Sequence, residues 1–123
     1  MRFLCLYKPG TNTEPSGPPS QEEMTAMGKL IEDMSKAGVL LATEGCQPSS
    51  KGVRLRVNSG KFTVTDGPFP ETKELIAGFA MIQVKSKEEA IEWGKRFLTV
   101  VGEGESEIRQ LNDMAPCAGQ PQS

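Results

Sequence analysis

The sequence predicts an α+β fold of the ferredoxin-like kind, a β-α-β unit, a hairpin and a second β-α-β unit. Its sheet is mainly antiparallel and carries both helices on one face. Three observations lead there. Two stretches of helical periodicity each open on a capping box, Ser20-Gln21-Glu22-Glu23 and Ser86-Lys87-Glu88-Glu89. Strand-length apolar runs flank both. Between the two units lies a pair of alternating strands joined by Asn58-Ser59-Gly60-Lys61. Only two helices against this many strands make a two-layer sandwich.

Residues 2–8, RFLCLYK, form the first strand. Phe3, Cys5 and Tyr7 fall on one parity and Leu4 and Leu6 on the other, so both faces of this strand are covered. Residues 9–19 hold four prolines and two glycines and read as a loop. The helix after Ser20 places Met24, Met27, Leu30, Ile31 and Met34 on one stripe, a core face, and Gly38 ends it. Residues 39–46, VLLATEGC, are a second strand apolar on both parities. In residues 53–57 and 61–65, Val53, Leu55, Val57, Phe62 and Val64 point inward and Arg54 and Arg56 outward. Those arginines, with Lys51 and Lys61, make a solvated basic patch. Residues 66–76 are a loop, and residues 77–84, AGFAMIQV, a buried strand. The second helix presents Ala90, Ile91, Gly94, Phe97, Leu98 and Val101 to the core, with Trp93 beside this stripe. Residues 102–106 are a Gly/Glu linker and residues 107–112 the last strand.

A chain of 123 residues is one domain's worth, here residues 1–114, followed by a tail at 115–123 expected to be disordered. With 37% hydrophobic and 24% charged residues the composition is globular, and no disulfide or structural metal is needed to fold it. A net charge of −2 gives no basic surface for nucleic acid. The absence of histidine removes imidazole bases, Ser-His-Asp and Cys-His systems and imidazole metal sites. Cys5, Cys46 and Cys117 form no CxxC pair and read as reduced thiols. The N-terminal apolar run is too short for a secretory signal, and no run of about 18 apolar residues marks a membrane span. A cytoplasmic protein is expected. No phosphate-binding glycine loop, HExxH, GxSxG or calcium-loop pattern occurs, so neither cofactor nor metal is expected.

Two helices cover one sheet face, yet three strands are apolar on both. A second copy of the chain is the simplest cover for the other face. The expectation is a homodimer with sheet facing sheet and a pocket in the inter-sheet cleft or at its rim.

The most specific segment is Asp66-Gly67-Pro68-Phe69-Pro70-Glu71-Thr72-Lys73-Glu74. Two prolines stiffen it, Gly67 gives dihedral freedom and Phe69 is an apolar anchor among polar groups. Asp66 can accept hydrogen bonds from the turn backbone at 67–69, or it can line a pocket. The segment resembles the DGPF signature of the YCII-related family, usually DGPFAETKE, with Pro70 where alanine is commonest. AGVLLATEGCQPS at 37–49, IAGFAMIQVKSKEEAIEWGKRF at 76–97 and the final IRQL resemble the same family. The resemblance covers roughly residues 1–112.

It implies a dimeric α+β barrel, each protomer ferredoxin-like. Some relatives are proposed to use a His–Asp pair in acid-base or dehalogenation-type chemistry on small ring compounds. Asp66 takes the place of that aspartate, and this chain has no histidine to complete the pair. Genes of such proteins often neighbour those of extracytoplasmic-function sigma factors.

Candidate catalytic residues are therefore Asp66, with Glu44 as a possible buried acid-base partner. Candidate ligand contacts are Tyr7, Gln47, Gly67, Phe69, Thr72 and Lys73. Three functions compete: a homodimeric small-molecule-binding or regulatory module, an enzyme doing carboxylate acid-base chemistry on a small ring compound, and a protein-interaction partner in sigma-factor-linked regulation.

Overall fold

The computed structural model describes residues 1–9, 19–69 and 75–112. Its elements are β1 (Arg2–Lys8), α1 (Gln21–Lys36), β2 (Leu40–Gly45), a 3₁₀ turn (Ser49–Lys51), β3 (Val53–Asn58), β4 (Lys61–Asp66), β5 (Gly78–Gln83), α2 (Lys87–Val101) and β6 (Glu105–Gln110). Four strands form one sheet in the order β2-β5-β1-β6, with every neighbouring pair antiparallel. That order places each β-α-β unit's two strands either side of a strand from the other unit, which is the ferredoxin-like arrangement. The β3–β4 hairpin is a separate two-stranded sheet inserted between β2 and β5.

Local chemistry sets the element ends. The Ser20 hydroxyl accepts the Glu23 amide at 3.1 Å, and the Ser86 hydroxyl accepts the Glu89 amide at 3.1 Å. Glu89 also accepts the Lys85 amide through its carboxylate at 3.0 Å. Among the described residues the carboxylate of Glu23 makes no such return bond. Left-handed glycines follow both helices, Gly38 at φ +70° and Gly102 at φ +90°. Ser59 and Gly60 both have positive φ, which gives the two-residue turn of the hairpin the twist its strands require.

Phe3, Cys5 and Tyr7 of β1 lie on the helix side with Gly78, Ala80 and Ile82 of β5 and Ser106 and Ile108 of β6, as the register requires. The core is Phe3, Leu30, Met34, Val39, Ile82, Val84 and Ala90, gathered toward the Phe3 end of β1. Gly94 lets α2 approach β6: a methyl group there would stand 3.2 Å from Ile108. Trp93 packs against the core with Phe97 and Val100, while Ile91 is exposed. The core stripe of α2 is thus rotated from the expected one, because Gly94 fixes the line of contact and its neighbours follow. On α1, Met27, Leu30 and Met34 face inward and Met24 is exposed.

The hairpin departs from expectation. Leu55 pairs with Val64 and Val57 with Phe62, so the expected residues do share one face. That face is open: Val53, Leu55, Val57, Phe62 and Val64 are 59–71% exposed. The alternation puts these residues on one face, but the expected inward packing is not found: among the described residues nothing covers that face. The sheet face away from the helices carries half-buried Leu4, Leu6, Phe79 and Met81. Among the described residues no helix is long and apolar enough to cross a membrane.

Candidate functional site

The loop after β4 docks on the 3₁₀ turn. The Gly67 amide donates to the Gly52 carbonyl at 2.9 Å, and the Phe69 amide donates to the Ser49 hydroxyl at 3.2 Å. The peptide between Gly67 and Pro68 is cis. Gly67 has no left-handed φ; a Cβ on it would run into the Ser49 carbonyl. Glycine is therefore required there by close backbone approach, and the expected dihedral role is corrected. Ser49, which only the structure singles out, is buried beneath the loop. The Phe69 ring lies 4.0 Å from the guanidinium carbon of Arg54, so this arginine is a stacking partner rather than a purely solvated charge. A groove of about 320 Å³ beside them is lined by Gln47, Ser49, Arg54, Phe69, Leu75 and others.

Asp66 ends β4 opposite Val53, on the same face as the exposed apolar residues of the hairpin. It does not cap its own turn. The Gly67 and Phe69 amides are spent on Gly52 and Ser49, and Pro68 has no N–H. The carboxylate is exposed.

A larger cavity, about 850 Å³, lies between the helices and the four-stranded sheet. Its cause is small residues. Ala80, Cys5 and Ser106 supply little side-chain volume on the sheet. Met27, Leu30, Trp93 and Phe97 make apolar walls. Tyr7 stands at one end, its ring edge-on to Phe97 at 5.1 Å and its hydroxyl donating to the Glu103 carbonyl at 2.9 Å. Gly104, at φ +115°, makes room: a Cβ there would lie 2.6 Å from the Tyr7 ring. Burial, then the carboxylates of Glu103 and Glu23, push the Tyr7 phenol above its ordinary value. Burial pushes the Cys5 thiol up as well, which keeps it protonated and weakly nucleophilic.

The expected site residues thus divide. Gln47 and Phe69 line the loop groove, Gly67 is hydrogen-bonded to Gly52 at its side, and Asp66 ends the hairpin. Tyr7 and Glu44 border the large cavity. Glu44 is exposed and in register with Phe79, which puts its side chain on the sheet face away from the helices. The expected buried position is not found, and no hydrogen bond joins Glu44 to Asp66, which belongs to the other sheet. Thr72, Lys73 and Cys117 lie outside the described residues, as do the tail from residue 113 and most of the 9–19 loop. Among the described residues no group of three or more Cys, Asp or Glu side chains is placed to hold a metal ion. Sequence reasoning missed Glu23 and Glu103 as cavity residues. Glu23 carries a capping signature that accounts for it locally, and Glu103 sits in a linker-like run.

Two comparisons bear on this architecture. The chain is similar to an uncharacterised protein of Rhizobium meliloti (strain 1021), 28% identical over 92 residues, which spans 75% of this chain and 74% of that one. The model of the YCII-related domain matches residues 1–115, which takes in every described element. This chain belongs to the YCII-related family.

Proposed function

We propose that this protein is a homodimeric small-molecule-binding module whose ligand occupies the space between the helices and the sheet. The observation that carries the reading is the cavity itself. At about 850 Å³ it falls within the usual range of small-molecule sites, roughly 300–1,000 Å³. It is apolar along its walls and holds a few converging polar groups, Tyr7, Thr43 and Ser106. The sequence-based expectation put the pocket at the DGPF loop and in an inter-sheet cleft. The groove at that loop is smaller and shallower, and an inter-sheet cleft would exist only between two copies.

The open apolar face of the hairpin supports the dimer. Five large side chains there are more than half exposed, and a lone two-stranded hairpin is at best marginally stable in water. Asp66 lies at the end of that face, so in a dimer it would border the interface. The enzymatic alternative, Asp66 acting with Glu44, draws no support from two exposed carboxylates on separate sheets.

The test is a thermal-shift screen of small phenols, quinones, lactones, amines and carboxylic acids on wild type, Ala80→Leu and Asp66→Asn. A ligand bound only by the folded form raises the midpoint by mass action. Stabilising compounds are expected to lose their effect in Ala80→Leu, which fills the cavity floor, and to keep it in Asp66→Asn. Shifts that survive Ala80→Leu and vanish in Asp66→Asn would move the site to the DGPF loop.

A further inference from the structure

We infer that the helix–sheet cavity selects an apolar amine, its ammonium held at the Glu23–Tyr7–Glu103 rim and its hydrocarbon body enclosed by Met27, Leu30, Trp93 and Phe97. The inference rests on the binding reading above and adds the chemical class of the ligand.

Charge carries the argument. Among the described residues that line the cavity, the ionisable charges are carboxylates, Glu23, Glu44 and Glu103, with no lysine or arginine. Glu44 drops out, since its register with Phe79 sends its side chain to the far face. Glu23 and Glu103 remain as lining residues. The Tyr7 hydroxyl donates to the Glu103 carbonyl at 2.9 Å, which sets residue 103 at the Tyr7 end of the space, and both carboxylates push the Tyr7 phenol up. Their carboxylates are not engaged elsewhere among the described residues. Glu23 makes no capping bond back to Ser20, and the Tyr7 hydroxyl is held by the Glu103 backbone rather than its side chain. The nearby cation Arg96 lies with its guanidinium 5.1 Å from the Trp93 ring and pairs with Asp33 at 2.7 Å, so it does not neutralise the rim.

A carboxylate or phosphate ligand would enter an apolar space past two negative charges, with no cation to meet it among the described lining residues. Desolvating it there is costly. An ammonium gains from the same two carboxylates. One element opposes this: α1 starts at the rim, and a helix N-terminus favours anions. Glu22 and Glu23, in its first turn, offset that partial charge with full ones.

The test uses three probes of one shape, 1-adamantanemethylamine, 1-adamantanemethanol and 1-adamantanecarboxylate. None absorbs where tryptophan does, and Trp93 is the chain's only tryptophan and lines the cavity, so its emission reports occupancy. The full chain is titrated as wild type, as Ala80→Leu and as the double variant Glu23→Gln, Glu103→Gln. Glutamine keeps the shape and removes the charge. In wild type the amine is expected to bind roughly tenfold or more tighter than the alcohol, and the carboxylate weakest. In the double variant the amine's advantage over the alcohol is expected to disappear, with the alcohol's own affinity unchanged. Equal binding of amine and alcohol in wild type, or a carboxylate that binds best, would overturn the inference and leave the cavity reading standing. No response to any probe, or responses that persist in Ala80→Leu, would overturn both.

Discussion

Gly67 is held between two backbones. Its amide reaches Gly52, and the space its missing side chain leaves is filled by the Ser49 carbonyl. Alanine at 67 must push the loop off the 3₁₀ turn, breaking the Gly67–Gly52 and Phe69–Ser49 hydrogen bonds and lifting Phe69 from Arg54. The expected cost of Gly67→Ala is about 2 kcal/mol or more, read as a lowered denaturant midpoint. Asp66→Asn, one residue away, is expected to stay within about 0.5 kcal/mol of wild type, since the carboxylate caps nothing in its turn. The reverse order would mean that the aspartate, not the glycine, holds the loop. The DGPF segment stood out in the sequence as rigid and specific. Why its glycine is needed did not, because the group that excludes a side chain comes from Ser49, in a turn with no pattern of its own.

At the scale of elements, both helices were legible to their capping serines and terminal glycines, since each signal lies within a few residues of the backbone it satisfies. The rotation of α2 was not. Trp93 and Ile91 compete for the core, and the contest is settled by Gly94 against Ile108, a pairing across the fold. The cavity was hidden for a related reason: Cys5 and Ala80 read as ordinary strand positions and Ser106 as part of a linker, and periodicity does not register missing volume. The two helices are also joined by charge. Asp33 accepts hydrogen bonds from Lys29 within α1 and from Arg96 on α2, and these partners lower its carboxyl from 3.8 to about 2. A carboxyl lowered on folding contributes stability that is fully present above its unfolded value and is lost as pH falls through its folded one. The midpoint difference between wild type and Asp33→Asn is therefore expected to be constant above about pH 5, to shrink as pH falls through 3.8, and to vanish only below about 2. Because the groups are partly exposed, added salt should shrink it too. Glu107, lowered by Lys8 and Arg109, titrates alike in both proteins and drops out of the difference. A difference that does not change with pH would assign the effect of Asp33→Asn to packing instead.

At the scale of the whole molecule, the described residues leave two apolar faces open, one on the hairpin and one on the sheet. Alternation at 53–57 and 61–65 fixed which hairpin residues share a face, but it could not say which molecule that face meets, because the period of a strand is the same against its own sheet or a partner's. Three features ask for a second copy. The hairpin exposes Leu55 at 66% and Phe62 at 71%, the far sheet face carries Leu4, Leu6, Phe79 and Met81, and two helices have already been used on the other face. A two-fold interface repeats every residue, so one substitution enters it twice. The full chain, 13.3 kDa, is expected to sediment at twice that mass at micromolar concentration. Leu55→Glu with Phe62→Glu puts four carboxylates into a dimer's apolar contact, against the cost of burying unpaired charge, and is expected to give a monomer. Ile91→Glu is the control: its side chain is exposed on α2, and the mass should not change. If the hairpin variant stays dimeric while Leu4→Glu or Met81→Glu dissociates it, the sheets alone form the interface and the hairpin face serves another partner. A wild-type monomer would end the dimer argument. The cavity, enclosed by one chain's helices and sheet, would stand without it.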